Sequence, residues 1–307
     1  MIDGLIERVA FIGLGNMGGP MCGHLARAGF DVSAYDLDPA ALERAAATGA
    51  RPASSALDAV HGAQALITML PAPPHVERVL LGEGGLLAAL AAGTVAIDMS
   101  TSSIAGGRRV GEAAAVRGID VLDAPVAGQA SGARAGTLAI YVGGSEPAFE
   151  RARALFEAMG NPERIFHVGP SGAGYTVKLL LNLTWFIQSV ATAEVLTVGV
   201  RAGVSLDKLH AALVGSPANS VFLERDVLPV LEAGDYDEAF PMKLVTKDLG
   251  LAVDLARDVG MPVELTALVE QIHRRARAAY GDHAGEISAV RLYEDLAGVQ
   301  LRLSPHE

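Results

Sequence analysis

Short apolar runs punctuate the first half of the chain: RVAFIG from Arg8, FDVSAYD from Phe30, QALITMLP from Gln64, GTVAIDMS from Gly93 and GIDVLDAP from Gly118. An amphipathic or alanine-rich stretch separates each from the next, and this alternation predicts βαβ units around a parallel sheet. TLAIYVGG and ERIFHVG follow, flanking EPAFERARALFEAMG, which carries acids early and closes on a glycine as a helix does. Strand pattern thus continues to about His167. After Gly174 the rhythm changes, and Tyr175 to Val200, Leu206 to Leu213, Lys243 to Val259, Glu264 to Ala279 and Glu286 to Leu296 all read as helices. The prediction is an α/β chain: a doubly wound parallel sheet over residues 1–168, then an all-helical domain over 169–307, joined by a long helix at about 175–200. No internal repeat, low-complexity tract or disordered linker interrupts it.

Length and composition agree with that picture. A chain of 307 residues, half of them hydrophobic and 35 of them glycine, has the core and the tight turns for two domains. The balance of 24 basic against 35 acidic residues, net charge -11, is the wrong sign for gripping a phosphate backbone, so nucleic acid is not an expected partner. HRRARAAY from His273 reads as a solvated helix face. The lone Cys22 cannot form an internal disulfide, which fits a reducing cytoplasm. The start, with acids at Asp3 and Glu7, lacks the pattern of a signal peptide. Leu179 to Val200 is the most membrane-like run. Asn182, Gln188 and Glu194 interrupt it, so the expectation is a buried interdomain helix and no membrane partner. None of the eight histidines sits in a metal-ligand pattern, so no metal is expected, and no GxSxG turn supports nucleophilic hydrolysis.

The first candidate chemistry lies between the first strand and the first helix. In VAFIGLGNMGGPMCGHL, Gly13, Gly15 and Gly18 have GxGxxG spacing, and Leu14, Asn16 and Met17 complete the turn. The first glycine permits the turn, the second lets a pyrophosphate approach the backbone, and the third lets helix and strand pack closely. Asp36 ends the second strand in VSAYDLD, where a carboxylate accepts from ribose hydroxyls and repels a 2′-phosphate, so a Rossmann domain binding NAD rather than NADP is expected. Leu70 and Pro71 in TMLPAPP and Ser100 and Thr101 in DMSTSS stand where strand ends border the dinucleotide, although Ser-Thr-Ser reads equally as a helix N-cap. His75 is a further candidate cofactor neighbour, or a surface-loop residue.

The second candidate is GPSGAGYTVKLLLN, where one lysine, Lys178, enters an apolar helix that starts from a glycine cluster. Hydride transfer from an alcohol needs a group to take the hydroxyl proton, and a lysine in apolar surroundings has its charged form disfavoured. Asn182, four residues on, points to the same side. Gly169, Gly172 and Gly174 would let the chain pass close to a ligand. A lysine snorkelling to the surface is the other reading.

Four segments, GLGNMG, DAPVAGQASGARAGTL, GPSGAGYTVKLLLN and KDLGLA, stand in the order found in the β-hydroxyacid dehydrogenases, a family that includes 3-hydroxyisobutyrate dehydrogenases and tartronate semialdehyde reductases, and the chain resembles that family over most of its length. The resemblance implies that Lys178 is the catalytic acid/base, that Asn182 holds substrate, that the segment from Asp123 to Gly132 cradles the substrate carboxylate, that Lys247 reaches the active site, and that the helical half builds a homodimer or homotetramer. Where the family usually reads Ser-Gly-Gly after DAPV, this chain has Ala127, Gly128 and Gln129, so a serine hydroxyl is missing and a bulkier amide has entered. Glu286 stands where relatives often carry aspartate. Phe240 closes the pocket or belongs to the core, and Asp248 and Asp254 read as helix-surface charges or an ion pair.

The expected activity is NAD-dependent interconversion of a β-hydroxyacid, 3-hydroxyisobutyrate-like or glycerate-like, with its semialdehyde. An imine reductase on the same architecture is the enzymatic rival, though those relatives generally lack the lysine. A non-catalytic dinucleotide-binding module would keep the glycines and Asp36 without needing Lys178 and Asn182. A 6-phosphogluconate dehydrogenase would carry a larger helical domain.

Overall fold

The computed structural model describes residues 5–236 and 240–304, so Asp3 lies outside the described residues. Packing divides the chain into two compact units, Met1–Lys178 and Leu179–Glu307.

The first unit is built on β1 (Arg8–Ile12), α1 (Gly18–Arg27), β2 (Asp31–Tyr35), α2 (Pro39–Ala46), β3 (Arg51–Pro52), α3 (Ala56–Ala59), β4 (Ala65–Thr68), α4 (Pro73–Leu81), β5 (Val95–Asp98) and α5 (Ile104–Ala115). It continues with β6 (Asp120–Asp123), β7 (Val126–Ala127), α6 (Gln129–Ala135), β8 (Leu138–Gly143), α7 (Glu146–Met159) and β9 (Gly160–Gly169). The strand order is β3-β2-β1-β4-β5-β6-β8-β7, with β9 against β8. Pairing is parallel from β3 through β6, and β8 then runs antiparallel to both β6 and β7. The two-residue strands β3 and β7 leave no periodic trace in the sequence.

Both faces of the sheet are buried because alternate side chains feed two cores. Val9 and Phe11 of β1 join Met21, Leu25, Ile67 and Ile97 on one side, while Ala10 and Ile12 join Leu66, Val76, Leu80 and Val110 on the other. That is why the strands read as continuous apolar runs rather than alternating ones. Cys22 lies fully buried in the first of these cores, where desolvation pushes its thiol up to about 12. Serines start three helices: Ser55, Ser103 and Ser145 accept from backbone amides at the heads of α3, α5 and α7. The last serine of DMSTSS is therefore a cap.

Helix α8 (Ala173–Arg201) begins in the first unit, and the division after Lys178 falls ten residues beyond the boundary expected at 168. Its first turn is tied to strand ends of the first unit, as described below. The helix is long and apolar enough, by length and composition, to cross a membrane, and a third of its most apolar window is buried.

The second unit adds α9 (Leu206–Val214), a π-helical turn at Phe222–Asp226, α10 (Leu228–Ala233), α11 (Met242–Asp258), α12 (Glu264–Tyr280) and α13 (Ser288–Ala297). Among its described residues the extended pairing is an isolated bridge, Pro241 to Gly285. One core gathers Ala193, Leu196, Phe222, Val230 and Leu301; the other gathers Phe186, Val245, Leu249, Val269 and Ile272, with Phe240 packed against it. The solvated face read at HRRARAAY needs correction at its first residue. Arg274 and Arg275 are exposed, but His273 is fully buried, its ring edge-on to Phe186 at 5.4 Å. Burial lowers its pKa to about 4.

Candidate active site

The glycine turn sits at the carboxyl end of β1, with each glycine under a different constraint. Gly13 has φ +96°, and a Cβ there would lie 2.3 Å from the Met69 carbonyl oxygen. A Cβ on Gly18 would lie 1.9 Å from the Gly13 carbonyl oxygen, so the head of α1 packs directly on the turn. Around Gly15 nothing lies within 4 Å of the same construction, and the residue is exposed. Two glycines are thus fixed by the protein's own backbone while the middle one faces open space, the arrangement needed where a phosphate approaches a helix N-terminus. Leu14 turns its side chain into the core, and its amide donates to Asp36 Oδ2 at 2.6 Å, while Asp38 N donates to Oδ1 at 2.9 Å. Asn16 is exposed and Met17 half-buried at the start of α1.

The ends of β4 and β5 are joined beneath the surface. Asp98, fully buried, accepts on Oδ1 from Thr68 Oγ at 2.7 Å and Ser100 Oγ at 2.6 Å; Ser100 Oγ in turn accepts from Leu70 N at 2.8 Å. Ser100 therefore spends its hydroxyl inside the protein, leaving half-buried Leu70 and Thr101 and exposed Pro71 at the surface. His75 lies in the first turn of α4, not in a loop, with Nδ1 buried and without a hydrogen-bond partner.

Two carboxylates hold the start of α8. Asp98 Oδ2 accepts from Tyr175 Oη at 2.6 Å, and Asp123, at the end of β6, accepts from Gly172 N at 2.7 Å and Tyr175 N at 3.0 Å. Burial raises the Asp98 carboxyl and drives Asp123 up to about 6 against the opposing pull of those amides. Tyr175 is raised well above the ordinary phenol range, by burial first and then by Asp98. A Cβ on Gly174 would lie 2.4 Å from the carbonyl oxygens of both Asp123 and Tyr141, so this glycine serves helix-on-sheet contact rather than passage past a ligand. Gly169 and Gly172 hold φ of +139° and +92°. Lys178 is half-buried, one turn after Tyr175.

The segment after β6 departs from its own backbone preferences. Among the described residues Gln129 is the non-glycine residue with positive φ, +56°, and it is exposed, following half-buried Ala127 and exposed Gly128. An amide side chain thus occupies a position whose backbone favours glycine.

In the second unit, Asp248 is buried on α11, so of the two readings its sequence allowed, a surface charge or an ion pair, the structure shows the ion pair. Asp248 accepts from Asn182 Nδ2 at 2.8 Å and pairs with Lys247 Nζ at 3.0 Å. One carboxylate thereby orients Lys247 of KDLGLA and Asn182 of GPSGAGYTVKLLLN. Asp254 pairs with Arg257 in the open. Asp98 and Tyr175 had no place among the candidate site residues, because the bond between them spans 77 positions; Asp123 and Asp248 were read without their bonds to Gly172, Tyr175 and Asn182, which lie 49 to 66 positions away.

Comparison with known proteins fits this layout. Residues 8–169 match the family described as the NAD binding domain of 6-phosphogluconate dehydrogenase, and residues 172–293 that described as NAD-binding of NADP-dependent 3-hydroxyisobutyrate dehydrogenase. A 3-hydroxyisobutyrate dehydrogenase of Pseudomonas aeruginosa is 41% identical, covering 90% of this chain and 94% of the relative. The NAD-dependent L-serine dehydrogenase of the same organism is 40% identical over 88% and 92%. The solved 3-hydroxyisobutyrate dehydrogenase of Mycobacterium tuberculosis with L-serine superposes with TM-score 0.86 at 34% identity, over 94% of this chain and 99% of that one. A two-part match in one order, at these identities and over nearly the whole length, shows that the chain belongs to the β-hydroxyacid dehydrogenase family and is a hydroxyacid dehydrogenase that uses a nicotinamide dinucleotide.

Proposed function

We propose that the chain interconverts a β-hydroxyacid, of the 3-hydroxyisobutyrate or glycerate kind, with its semialdehyde, using NAD, and that Lys178 is the acid/base. The observation that carries the reading is the anchoring of α8: Asp98 and Asp123 lock its first turn to strand ends of the unit that also holds the glycine turn, and Lys178 follows directly. The glycine turn fits the dinucleotide because Gly15 leaves its backbone open. When bound, the nicotinamide supplies the hydride acceptor. Lys178 takes the hydroxyl proton as the alcohol is oxidised and returns it in the reverse direction. Asn182 and Lys247, oriented through Asp248, are the proposed polar contacts of the substrate. The segment Ala127, Gly128 and Gln129 is proposed to meet its carboxylate end.

Preference for NAD rests on Asp36, whose carboxylate at the end of β2 would repel a 2′-phosphate. Assembly into a homo-oligomer is supported by the exposed apolar side chains Leu180, Val195 and Val198 on α8. The test is Lys178→Ala. Turnover with a panel of β-hydroxyacids, followed by NADH absorbance, is expected to disappear while NAD still quenches protein fluorescence; turnover at the parental rate overturns the assignment. Running the panel with both NAD and NADP decides the cofactor.

A further inference from the structure

We propose that Tyr175 and Asp98 form a positioning pair that sets the acid/base lysine in its working place, an inference that rests on the role proposed for Lys178. The pair joins helix to sheet by side chains alone. Tyr175 Oη donates to Asp98 Oδ2 at 2.6 Å, both residues are buried, and they stand 77 positions apart in the chain. Tyr175 precedes Lys178 by three positions on α8, so any shift or rotation of the tyrosine carries the lysine with it.

The fold makes room for this phenol. A Cβ on Gly107, in α5, would lie 2.7 Å from Tyr175 Cε2, so that helix keeps a glycine where the ring passes. Packing alone does not call for the hydroxyl, since phenylalanine would fill the same space. What the hydroxyl adds is a directed bond to a buried carboxylate, and polar pairs of that kind fix one arrangement among several that apolar contacts would tolerate.

The other oxygen of Asp98 extends the link. It accepts from Thr68 and Ser100 hydroxyls, and Ser100 accepts from the Leu70 amide. One carboxylate therefore fixes both the start of α8 and the turns after β4 and β5, which flank the expected dinucleotide site. Asp123 meanwhile holds the backbone of the same helical turn through Gly172 N and Tyr175 N. Asp123 secures the height of the helix start, and the Tyr175 hydroxyl secures its rotation.

The test is Tyr175→Phe, measured with the hydroxyacid that turns over best. A tenfold or larger fall in kcat is expected, with KM for NAD and for the hydroxyacid changed less than threefold and a larger deuterium isotope effect from substrate labelled at the reacting carbon. Parental kcat, or a loss confined to KM, overturns the proposal. Should Tyr175→Phe fail to fold, Gly107→Ala perturbs the same ring from a helix the substitution itself favours; it too is expected to lower kcat without raising KM, and parental turnover in it overturns the proposal. Lys178→Ala is assayed alongside. If that variant retained turnover, the lysine's role would fail on its own, a result distinct from the outcome for Tyr175.

Discussion

His273 gives the second unit a defined sensitivity to acid. Its imidazole is fully buried against Phe186, Nδ1 faces the Val269 carbonyl at 2.9 Å, and Nε2 has no hydrogen-bond partner among the described residues. Burial lowers the folded-state pKa from the ordinary 6.5 to about 4. The unfolded chain therefore takes up a proton as pH falls through 6.5 while the folded chain does not, so stability is intact above 6.5 and is lost toward 4. The linkage comes to about 2 kcal/mol by pH 5 and about 3 kcal/mol in full. Asp123 works in the opposite sense in the first unit: with its carboxyl raised to about 6, its contribution favours the folded state as pH falls from 6 toward the ordinary carboxylate range. The parental profile is a sum, so the measurement is a difference. His273→Leu keeps an apolar filling, and urea unfolding followed by the fluorescence of Trp185, the chain's single tryptophan, reports the second unit. Between pH 7.5 and 5 the parent is expected to lose about 2 kcal/mol more than the variant. Equal losses would refute the assignment of acid sensitivity to this ring.

Other substitutions separate binding from folding. Gly15→Ala enters open space, so stability is expected within about 0.5 kcal/mol of the parent while NAD affinity, read by fluorescence titration, falls about tenfold for one impaired phosphate contact. Gly18→Ala instead drives a Cβ into the Gly13 carbonyl and is expected to cost about 3 kcal/mol in thermal or urea unfolding. Asp248→Ala leaves Lys247 and Asn182 without their shared acceptor; a loss of about 3 kcal/mol is expected in urea unfolding, together with a raised KM for the hydroxyacid. Leu301→Ala, fully buried where the chain returns to the second unit's core, is expected to lower stability by about 3 kcal/mol without changing NAD affinity.

What the sequence disclosed follows from which interactions are local. The strands of the parallel sheet were legible because both faces are buried and their apolar runs are unbroken, and the glycine turn because its three glycines fall within six residues between a strand and a helix. The strands β3 and β7, two residues each, fall below any period, and α10 is short. Asp98 and Tyr175 carry no local signature, and Asp123 and Asp248, though they stand in recognisable segments, show what they hold only when the fold brings Gly172, Tyr175 and Asn182 near. His273 was hidden by its neighbours, since Arg274 and Arg275 are exposed while helical rotation turns the imidazole inward.

The burial of Cys22 has a practical corollary. Reagents such as maleimides attack thiolate, and a thiol pushed up to about 12 inside the first unit's core offers almost none at neutral pH. Because the chain has one cysteine, a new cysteine introduced at an exposed position would be labelled against a silent background. Fluorophores or spin labels can thus be attached site by site in the otherwise native sequence, without first removing the natural thiol.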